Sequence, residues 1–447
     1  MDSGDLIDLD ITGVAHGGVF VARHEGRVVF VSDAIPGERV RVRVTDASKS
    51  SFWRAETLEV LDASPHRQPH VWRQADVDVA PDLRPGGADF GHIDLREQRM
   101  LKLEVLTDSL RRFGGVELPI EMSGAEAVVG HDGRTVAEET DDGTGWRTRV
   151  SLHVDEAGRV GPYVARSHRV IPVDDLPLAT PGIERAALHL TEGAPGRIDL
   201  VEPGDGRVRV IPRPEQSRSR GGRKAPRDRA KDPDREVVVE RVDGRDFRVD
   251  AGGFWQVHRL AAHTLTRRVA TTLRDVAGTD ATGAVLDPEA LHLDLYGGVG
   301  LFAATLASLA GQTARITSVE SDVRATEHAG ENLAEWVGAR AETDRVDRWI
   351  ARLAEAASAT ERERISRGVV LLDPPRSGAG RDVVRGIAAL GPETVVYVAC
   401  DPVAVGRDLG TFRAEGYETV RVDGLDLFPH SHHIEAVATL RRAGAGG

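Results

Sequence analysis

The sequence predicts an α/β protein in which a doubly wound, mostly parallel sheet follows a small β-barrel and a β-rich central domain. Two observations lead to this prediction. Short strand-like runs separated by Gly, Pro and Asp fill residues 1–63, which is typical of a small barrel. After Phe254, apolar runs alternate with helical stretches, and this alternation indicates a parallel sheet with ligands at the carboxyl ends of its strands.

Composition and charge limit the function classes. The chain has 447 residues, and the 40% that are hydrophobic can form a large core. With 58 Lys and Arg against 71 Asp and Glu, the net charge of −13 excludes a protein that coats nucleic acid by bulk charge, but not one with a local basic face. The acidic start lacks the pattern of a signal peptide, and no apolar run reaches the roughly 18 residues of a membrane span. We therefore expect a soluble, cytoplasmic protein with no membrane partner.

The first predicted unit, residues 1–63, contains a strictly alternating strand, Arg39 to Val44. A period of two places three arginines on one face and three valines on the other. This pattern predicts an OB-like barrel with a basic outer face that binds nucleic acid, and a merely solvated strand face is the alternative. Phe52 and Trp53 lie beside basic residues and are candidates for base stacking or for the core.

Three segments follow the barrel. Residues 64–92 read as a connector, and 93–116 as a helix that starts at Asp94, ends at Gly114 and packs on the catalytic domain. Residues 117–250 predict a β-rich central domain. Within it, residues 213–235 hold nine Lys and Arg against four Asp and Glu and few apolar residues, so we expect a disordered insertion. RNA backbone contact is the alternative use of this segment.

The remaining segment, 251–447, carries a glycine-rich loop after a strand. Gly298 and Gly300 have the spacing of nucleotide-binding turns, and Glu320 follows at the end of the next strand, where it can accept hydrogen bonds from a ribose. This signal alone does not separate NAD from S-adenosylmethionine. The acid Asp294 before the loop favours S-adenosylmethionine, which has a positively charged end and no pyrophosphate.

The apolar strand 369–372 ends in Asp373-Pro374-Pro375-Arg376. The prolines stiffen the strand exit and hold a carboxylate at the rim of the expected pocket. A related motif grips an exocyclic amine for nitrogen methylation, but it has an aromatic residue where Arg376 stands here, and this argues against amine chemistry. Asp373 as a simple helix cap is the alternative.

The single cysteine, Cys400, follows the buried strand 394–399, and its strand end opens on the same rim. Lone cysteines usually fill cores, yet a thiol here can act as a thiolate nucleophile. Near the carboxyl end, the segment 428–435 contains three histidines and Glu435. With no second cysteine and only a loop to hold the histidines, we expect no metal site. Glu435 is either a strand-edge carboxylate or the base that a cysteine addition mechanism requires.

As an ordered set, these motifs resemble the RNA uridine-carbon-5 methyltransferases, in particular the TRAM-domain 23S rRNA (uracil-5-)-methyltransferase group. The stretch 13–44 is similar to a TRAM domain, an RNA-binding β-barrel, and the likeness covers nearly the whole chain. The other matching pieces are FWQV (254–257), DLYGGVGLF (294–302), Glu320, DPPR (373–376), ACDP (399–402) and FPHSHHIE (428–435).

The resemblance implies a Rossmann-like class I methyltransferase domain whose nucleophile is Cys400 and whose proton acceptor is Glu435. It implies RNA as the partner, with rRNA first and tRNA second, and no obligate protein partner is evident. It also implies that S-adenosylmethionine is the cofactor. Its binding residues would be Gln256, Tyr296, Glu320 and Asp373.

Several positions depart from the pattern of the family. Many relatives hold a four-iron–four-sulfur cluster, but the corresponding region 80–93 has no cysteine and Leu176 stands where the last cysteine often lies. We therefore expect no iron–sulfur cluster. Asp401 replaces a common Asn after the nucleophile, and Leu301 replaces a polar residue near the cofactor.

The predicted reaction is methyl transfer to carbon 5 of a uridine through a covalent cysteine adduct. The alternatives are an amino-directed RNA methyltransferase that uses the DPPR motif as an amine grip, and a non-catalytic RNA-binding or assembly protein with a vestigial methyltransferase fold. A nicotinamide oxidoreductase is disfavoured because the sequence offers no pyrophosphate clamp beyond the glycine loop.

Overall fold

The computed structural model describes residues 2–215, 232–277 and 285–443. Its first unit is a closed five-stranded barrel with the strand order β1-β2-β3-β5-β4, so the predicted N-terminal barrel is confirmed. The alternating strand is β4, whose Val40, Val42 and Val44 fill the barrel. The strands are β1 (Leu6–Ala15), β2 (Val19–His24), β3 (Arg27–Ser32), β4 (Arg39–Asp46) and β5 (Phe52–Asp62).

The outer face of β4 is charged but not basic, and here the expectation from the alternating arginines is wrong. The antiparallel register places Asp8 of β1 and Glu59 of β5 opposite Arg41. Arg41 Nε lies 2.9 Å from Asp8 Oδ1, and Arg43 Nη2 lies 2.6 Å from Glu56 Oε1. Carboxylates on the neighbouring strands therefore neutralise this face, which a reading of β4 alone could not show.

Helix α1 (Leu95–Ser109) connects the barrel to the catalytic domain. The Asp94 side chain caps it by accepting a hydrogen bond from the Glu97 amide at 2.9 Å. Leu101 packs in the barrel core, whereas Leu106 packs in the core of the catalytic domain. Lys102, which is buried, lies 2.5 Å from the Asp426 carboxylate. The helix thus packs against both the barrel and the domain that follows.

The central part of the chain contains a four-stranded antiparallel sheet of order β10-β9-β11-β12 and a hairpin, β7–β8. Its elements are β7 (Val128–Val129), β8 (Thr135–Ala137), β9 (Arg149–Val154), β10 (Val160–Gly161), α2 (Pro181–Leu188), β11 (Gly196–Val201) and β12 (Arg209–Pro214).

Two pieces of the predicted central domain lie elsewhere. Strand β6 (Glu121–Ser123) pairs with the large catalytic sheet. The hairpin of β13 (Val237–Val242) and β14 (Arg245–Asp250) packs Phe247 into the catalytic core. Such long-range pairing has no local signal in a short strand.

The expected basic insertion 213–235 is ordered at both ends. Residue 213 lies in β12, and the Arg213 guanidinium bonds to Asp199 and Asp234. Residues 216–231 lie outside the described residues.

The catalytic domain is an eight-stranded sheet of order β17-β16-β15-β18-β19-β21-β20-β6, as the alternation of strands and helices predicts. Within this sheet only β21 runs against its neighbours β19 and β20. Its strands are β15 (Leu291–Leu295), β16 (Arg315–Glu320), β17 (Ala339–Thr343), β18 (Val369–Leu372), β19 (Thr394–Ala399), β20 (Tyr417–Leu425) and β21 (Glu435–Arg442). The helices are α3 (Ala261–Ala277), α4 (Leu301–Ala310), α5 (Val323–Asn332), α6 (Val346–Ala356), α7 (Ala359–Ser366), α8 (Arg381–Leu390) and α9 (Pro402–Ala414).

The loops after β15, β16, β18 and β19 lie at one edge of this sheet because these strands are parallel. Among the described residues, no helix is both long and apolar enough to cross a membrane.

Candidate active site

The glycine loop between β15 and α4 makes a tight left-handed turn. Tyr296, Gly298 and Gly300 have φ of +63°, +53° and +89°. A Cβ at Gly297 would collide with the Ser318 hydroxyl, whereas a Cβ at Gly298 would meet no protein atom within 4 Å. The loop therefore fits tightly against the sheet on one side and leaves open space on the other.

Asp294 lies under this loop. Its Oδ2 accepts hydrogen bonds from the Ala303 amide at 3.0 Å and from the Ser318 hydroxyl at 3.1 Å. Its Oδ1 is buried and has no hydrogen-bond partner among the described residues. Burial raises the pKa of Asp294 to about 7. Asp294 thus positions the loop from below.

Glu320, at the end of β16, contacts the loop from the neighbouring strand. Its Oε2 accepts a hydrogen bond from the Gly298 amide at 3.2 Å, and its Oε1 accepts one from the Asp322 amide at 2.8 Å. The structure therefore brings Glu320 and the loop that carries Tyr296 together. No hydrogen bond among the described residues joins the half-buried Gln256 side chain to them.

Asp373 follows β18, and its amide donates to the Leu295 carbonyl oxygen at 3.2 Å, next to Tyr296. Helix α8 is capped by Gly380 and not by Asp373, so the alternative of a simple helix cap is wrong. Burial, together with the charge of Asp294, raises the pKa of Asp373 to about 7. The following turn is held by Asp408, which accepts from the Ala379 amide at 2.7 Å.

Cys400 lies half-buried between β19 and α9. Strand β21 pairs antiparallel with β19 through Ala399 and Ala436, so the residue before Ala436, Glu435, enters the sheet where Cys400 leaves it. Glu435 is buried. Because β21 runs antiparallel to β19, it places the Glu435 carboxyl group next to Cys400.

The charges around the thiol act on its pKa and on that of Glu435. Burial, followed by the charges of Glu435 and Asp373, raises the pKa of the Cys400 thiol to about 12, and the Arg376 guanidinium opposes this rise. Burial and Asp373 likewise hold the pKa of Glu435 well above its usual range, again against Arg376. We call Cys400, Glu435, Asp373 and Arg376 the thiol cluster.

The three histidines of segment 428–435 have separate partners. His430 bonds to Gln98 at 2.9 Å, His432 to Asp89 at 2.7 Å and His433 to Arg376 at 3.2 Å. Within the described residues, no three His, Cys, Asp or Glu side chains are grouped to hold a metal ion.

Residues from the two regions where relatives place cluster cysteines, Ala88 and Leu176, pack with Trp72 in one apolar cluster. This environment offers carbon contacts and no thiolate, so the residues present do not fit an iron–sulfur cluster.

Two residues near the site carry no sequence signal. His16, in the turn between β1 and β2, reaches the Asp401 carboxylate beside Cys400. Arg147 lies close enough to Arg376 that its pKa is lowered, first by burial and then by that charge. His16 lies in the TRAM-like stretch and Arg147 in the predicted central domain, but neither position signals a role at this site, and only the folded chain brings them to this edge.

Known proteins resemble this chain in sequence. Residues 3–56 match the TRAM domain family, and residues 286–443 match the family described as tRNA (Uracil-5-)-methyltransferase. An uncharacterised RNA methyltransferase of Streptomyces avermitilis is 36% identical over 99% of this chain and 100% of its own length. The 23S rRNA (uracil(1939)-C(5))-methyltransferase RlmD of Halomonas elongata is 30% identical over 97% of this chain and 89% of its own.

The fold also has a solved counterpart. The tRNA (uracil-54, C5)-methyltransferase of Pyrococcus abyssi, in complex with S-adenosyl-L-homocysteine, superposes with a TM-score of 0.64 at 20% identity. The match covers 97% of this chain and 100% of that one. From the barrel, the catalytic sheet and the full-length relatives together, the chain belongs to the TRAM-domain family of RNA (uracil-5-)-methyltransferases.

Proposed function

We propose that this protein transfers a methyl group from S-adenosylmethionine to carbon 5 of a uridine in RNA, and that Cys400 forms the covalent adduct. One observation carries the proposal. The Cys400 thiol lies at the sheet edge that holds the glycine loop, beside the carboxyl group of Glu435 and the guanidinium of Arg376. A nucleophile and a base at one edge of the sheet are the groups that this reaction requires, and a cation beside them favours the thiolate.

The residues at the glycine loop fit the cofactor. Open space above Gly298, the Glu320 carboxylate beside it and Asp294 Oδ1 below, which has no partner in the described part of the chain, form a polar cradle. Gln256, Tyr296, Glu320 and Asp373 would hold S-adenosylmethionine, which supplies a methyl group on a positively charged sulfur. Glu320 suits a ribose because both of its oxygens accept hydrogen bonds.

Cys400 makes carbon 5 reactive. Its thiolate adds to carbon 6 of the uracil, and the electrons of the 5,6 double bond move into an enolate that ends on the carbon-4 oxygen. Carbon 5 then has the electron density to bond to the methyl group, and the carbon-4 carbonyl re-forms. In the free protein, burial keeps the thiol protonated, so we expect the bound base and Arg376 to favour its ionisation.

Glu435 completes the reaction. Before the reaction Glu435 is protonated because burial and the neighbouring Asp373 raise its pKa. After methyl transfer Glu435 releases its proton to solvent, and the Arg376 guanidinium favours the resulting carboxylate. The carboxylate then takes the carbon-5 proton, the double bond re-forms and the thiolate leaves. The net result is 5-methyluridine, S-adenosylhomocysteine and one released proton.

The substrate is an RNA whose target base is flipped out of its stack, at a cost of a few kcal/mol. The barrel can offset this cost through RNA contacts near the thiol cluster. We propose 23S rRNA as the RNA, since the relative RlmD acts on it, and cytoplasmic rRNA modification as the role. tRNA is the second substrate to test, because the solved counterpart acts on tRNA.

The test replaces Cys400 by Ala. Purified full-length protein is incubated with labelled S-adenosylmethionine and unmodified 23S rRNA or tRNA, and the nucleosides are analysed by mass spectrometry. We expect 5-methyluridine from the unaltered protein, none from Cys400→Ala and a normal yield from Thr411→Ala, a change on the neighbouring helix α9. Turnover by Cys400→Ala would contradict the nucleophile, and an amino-methylated product would contradict the carbon-5 reaction.

A further inference from the structure

A cavity opens beside the central sheet, away from the glycine loop. Its volume is about 330 Å³, within the range of ligand sites. Strand β9 and residues 162–167 form one wall, and Gly86, Gly87 and residues 176–179 form the rest. The side chains that matter for its chemistry are Trp72, Arg147, His153, Tyr163 and Arg166.

The cavity has an aromatic wall. The rings of His153 and Tyr163 stack with centroids 3.5 Å apart and planes inclined by 13°. The His168 ring meets Tyr163 edge-on at 5.3 Å. Tyr163 is half-buried, so part of its ring lines the cavity. Stacked rings of this kind are the platforms on which proteins bind unpaired bases.

The cavity is also positively charged. Among the described residues, the half-buried Arg147 has no carboxylate within 4.0 Å, and its Nε donates to the Arg149 carbonyl at 3.0 Å. Arg166 lies 3.6 Å from Asp33 and 4.0 Å from Glu56. Asp33 already binds the buried Arg84 at 3.0 Å. Arg147 is therefore available to bind an anion, and Arg166 shares its two carboxylates with Arg84 and Arg43, which lie closer to them.

Two segments connect this cavity to the candidate active site. Thr148, next to Arg147, donates its amide to the Val257 carbonyl at 2.8 Å, one residue from Gln256. From Gly87 the chain runs on to Asp89, which bonds to His432. Two walls of the cavity are thus held by contacts with the segments that carry Gln256 and His432.

We infer that this cavity binds an unpaired nucleotide of the RNA strand that carries the target uridine, with its base on Tyr163 and its phosphate at Arg147 and Arg166. The identity of that RNA rests on the proposed function. The stacked rings favour a nucleotide over an acidic peptide. A peptide carboxylate would bind to the arginines and would leave the rings without a function, whereas a base stacks on them.

The experiment measures binding without a methyl donor, so its result does not depend on catalysis. Full-length protein is titrated with a short fluorescein-labelled oligouridylate at several salt concentrations. We expect Tyr163→Ala to bind about tenfold or more weakly, since stacking on one ring is worth that much, and Tyr163→Phe to bind normally. We expect Arg147→Gln to weaken binding and to lower the slope of log K against log salt by about one.

Controls separate the cavity from folding and from catalysis. Arg169→Gln, on the same turn but outside the cavity, should bind as the unaltered protein does, and thermal melting should show that each variant is folded. If Tyr163→Ala does not fold, Ser167→Trp, which fills the mouth, should weaken binding instead.

Normal binding by a folded Tyr163→Ala or Ser167→Trp overturns the inference. If Arg147→Gln alone weakens binding, the site recognises charge only, as an acidic peptide would require, and the inference is also overturned. Methyl transfer by Cys400→Ala would contradict the proposed function but not the cavity.

Discussion

His16 and Asp401 join the barrel to the candidate active site, with His16 Nε2 lying 3.2 Å from Asp401 Oδ2. Asp401 directly follows Cys400 and caps helix α9 by accepting from the Ala404 amide at 2.7 Å. The same barrel turn presses Gly18, whose φ is +72°, against the His432 ring, where a Cβ would come within 2.9 Å. The barrel therefore forms part of the wall around the thiol.

This contact predicts a coupled pair of substitutions. The Asp401 charge contributes to the raised pKa of the Cys400 thiol, and the His16 ring lies against that carboxylate and partly offsets its charge. We expect His16→Ala to lower kcat/KM about two- to fivefold, the range for a partly exposed ion pair. In an Asp401→Asn background the same change should have little effect, because the charge is gone. Additive effects in this double-mutant cycle would contradict the coupling, and Asp10→Asn on the outside of β1 is the control.

Glu435→Gln is expected to trap the reaction after methyl transfer. Without a carboxylate, the carbon-5 proton stays and the thiolate is not released. A covalent protein–RNA complex should therefore accumulate and show as a slower band on a denaturing gel with labelled RNA. The double variant Cys400→Ala/Glu435→Gln should give no such band. Normal turnover without an adduct would rule out Glu435 as the base.

Arg376→Gln should make the thiol less reactive. Arg376 opposes the rise in the Cys400 pKa, so its removal raises that pKa further and lowers the thiolate fraction at a given pH. We expect iodoacetamide to alkylate the sole cysteine about three- to tenfold more slowly, which corresponds to about half to one pKa unit. Mass spectrometry gives the rate, and the exposed Arg381→Gln should react like the unaltered protein. If Arg376→Gln is alkylated as fast as the unaltered protein, the guanidinium of Arg376 does not influence the Cys400 thiol.

Asp294→Asn should change how stability depends on pH. Burial raises the folded-state pKa of Asp294 from 3.8 to about 7, so its contribution to stability is full below about pH 4 and is lost as pH rises toward 7. The shift corresponds to about 4 kcal/mol. Urea unfolding should show that the free energy of unfolding of the unaltered protein falls between about pH 4 and about pH 8. In Asp294→Asn this fall should be smaller by up to about 4 kcal/mol. Asp62→Asn, a change of an exposed residue, should behave as the unaltered protein. If the free energy of unfolding of Asp294→Asn falls as much as that of the unaltered protein, the raised pKa of Asp294 is contradicted.

Local patterns were sufficient for most of the architecture. The valines of β4 alternate with period two and do fill a barrel, and the alternation of strands and helices after Phe254 does form a mostly parallel sheet. The strand-end positions of Asp373 and Cys400 could be predicted for the same reason, since parallel strands end at one edge.

Local patterns failed where the partner lies far along the chain. The arginines of β4 read as a basic face, but carboxylates on β1 and β5 lie opposite Arg41 and Arg43. Strand β6 was assigned to the central domain, but it completes the catalytic sheet beside β20. The alternation of residue types along one strand carries no information about which other strand pairs with that strand.

By itself, the sequence determined the chemical groups and the strand ends that carry them, because hydrophobic period and glycine spacing act over short stretches of chain. Only the tertiary structure decided which of these groups meet. The reversal of β21 places Glu435 beside Cys400, and the docking of the barrel through α1 brings His16 to Asp401. Both contacts depend on long-range packing, in which the free energy of burying whole faces outweighs any local preference.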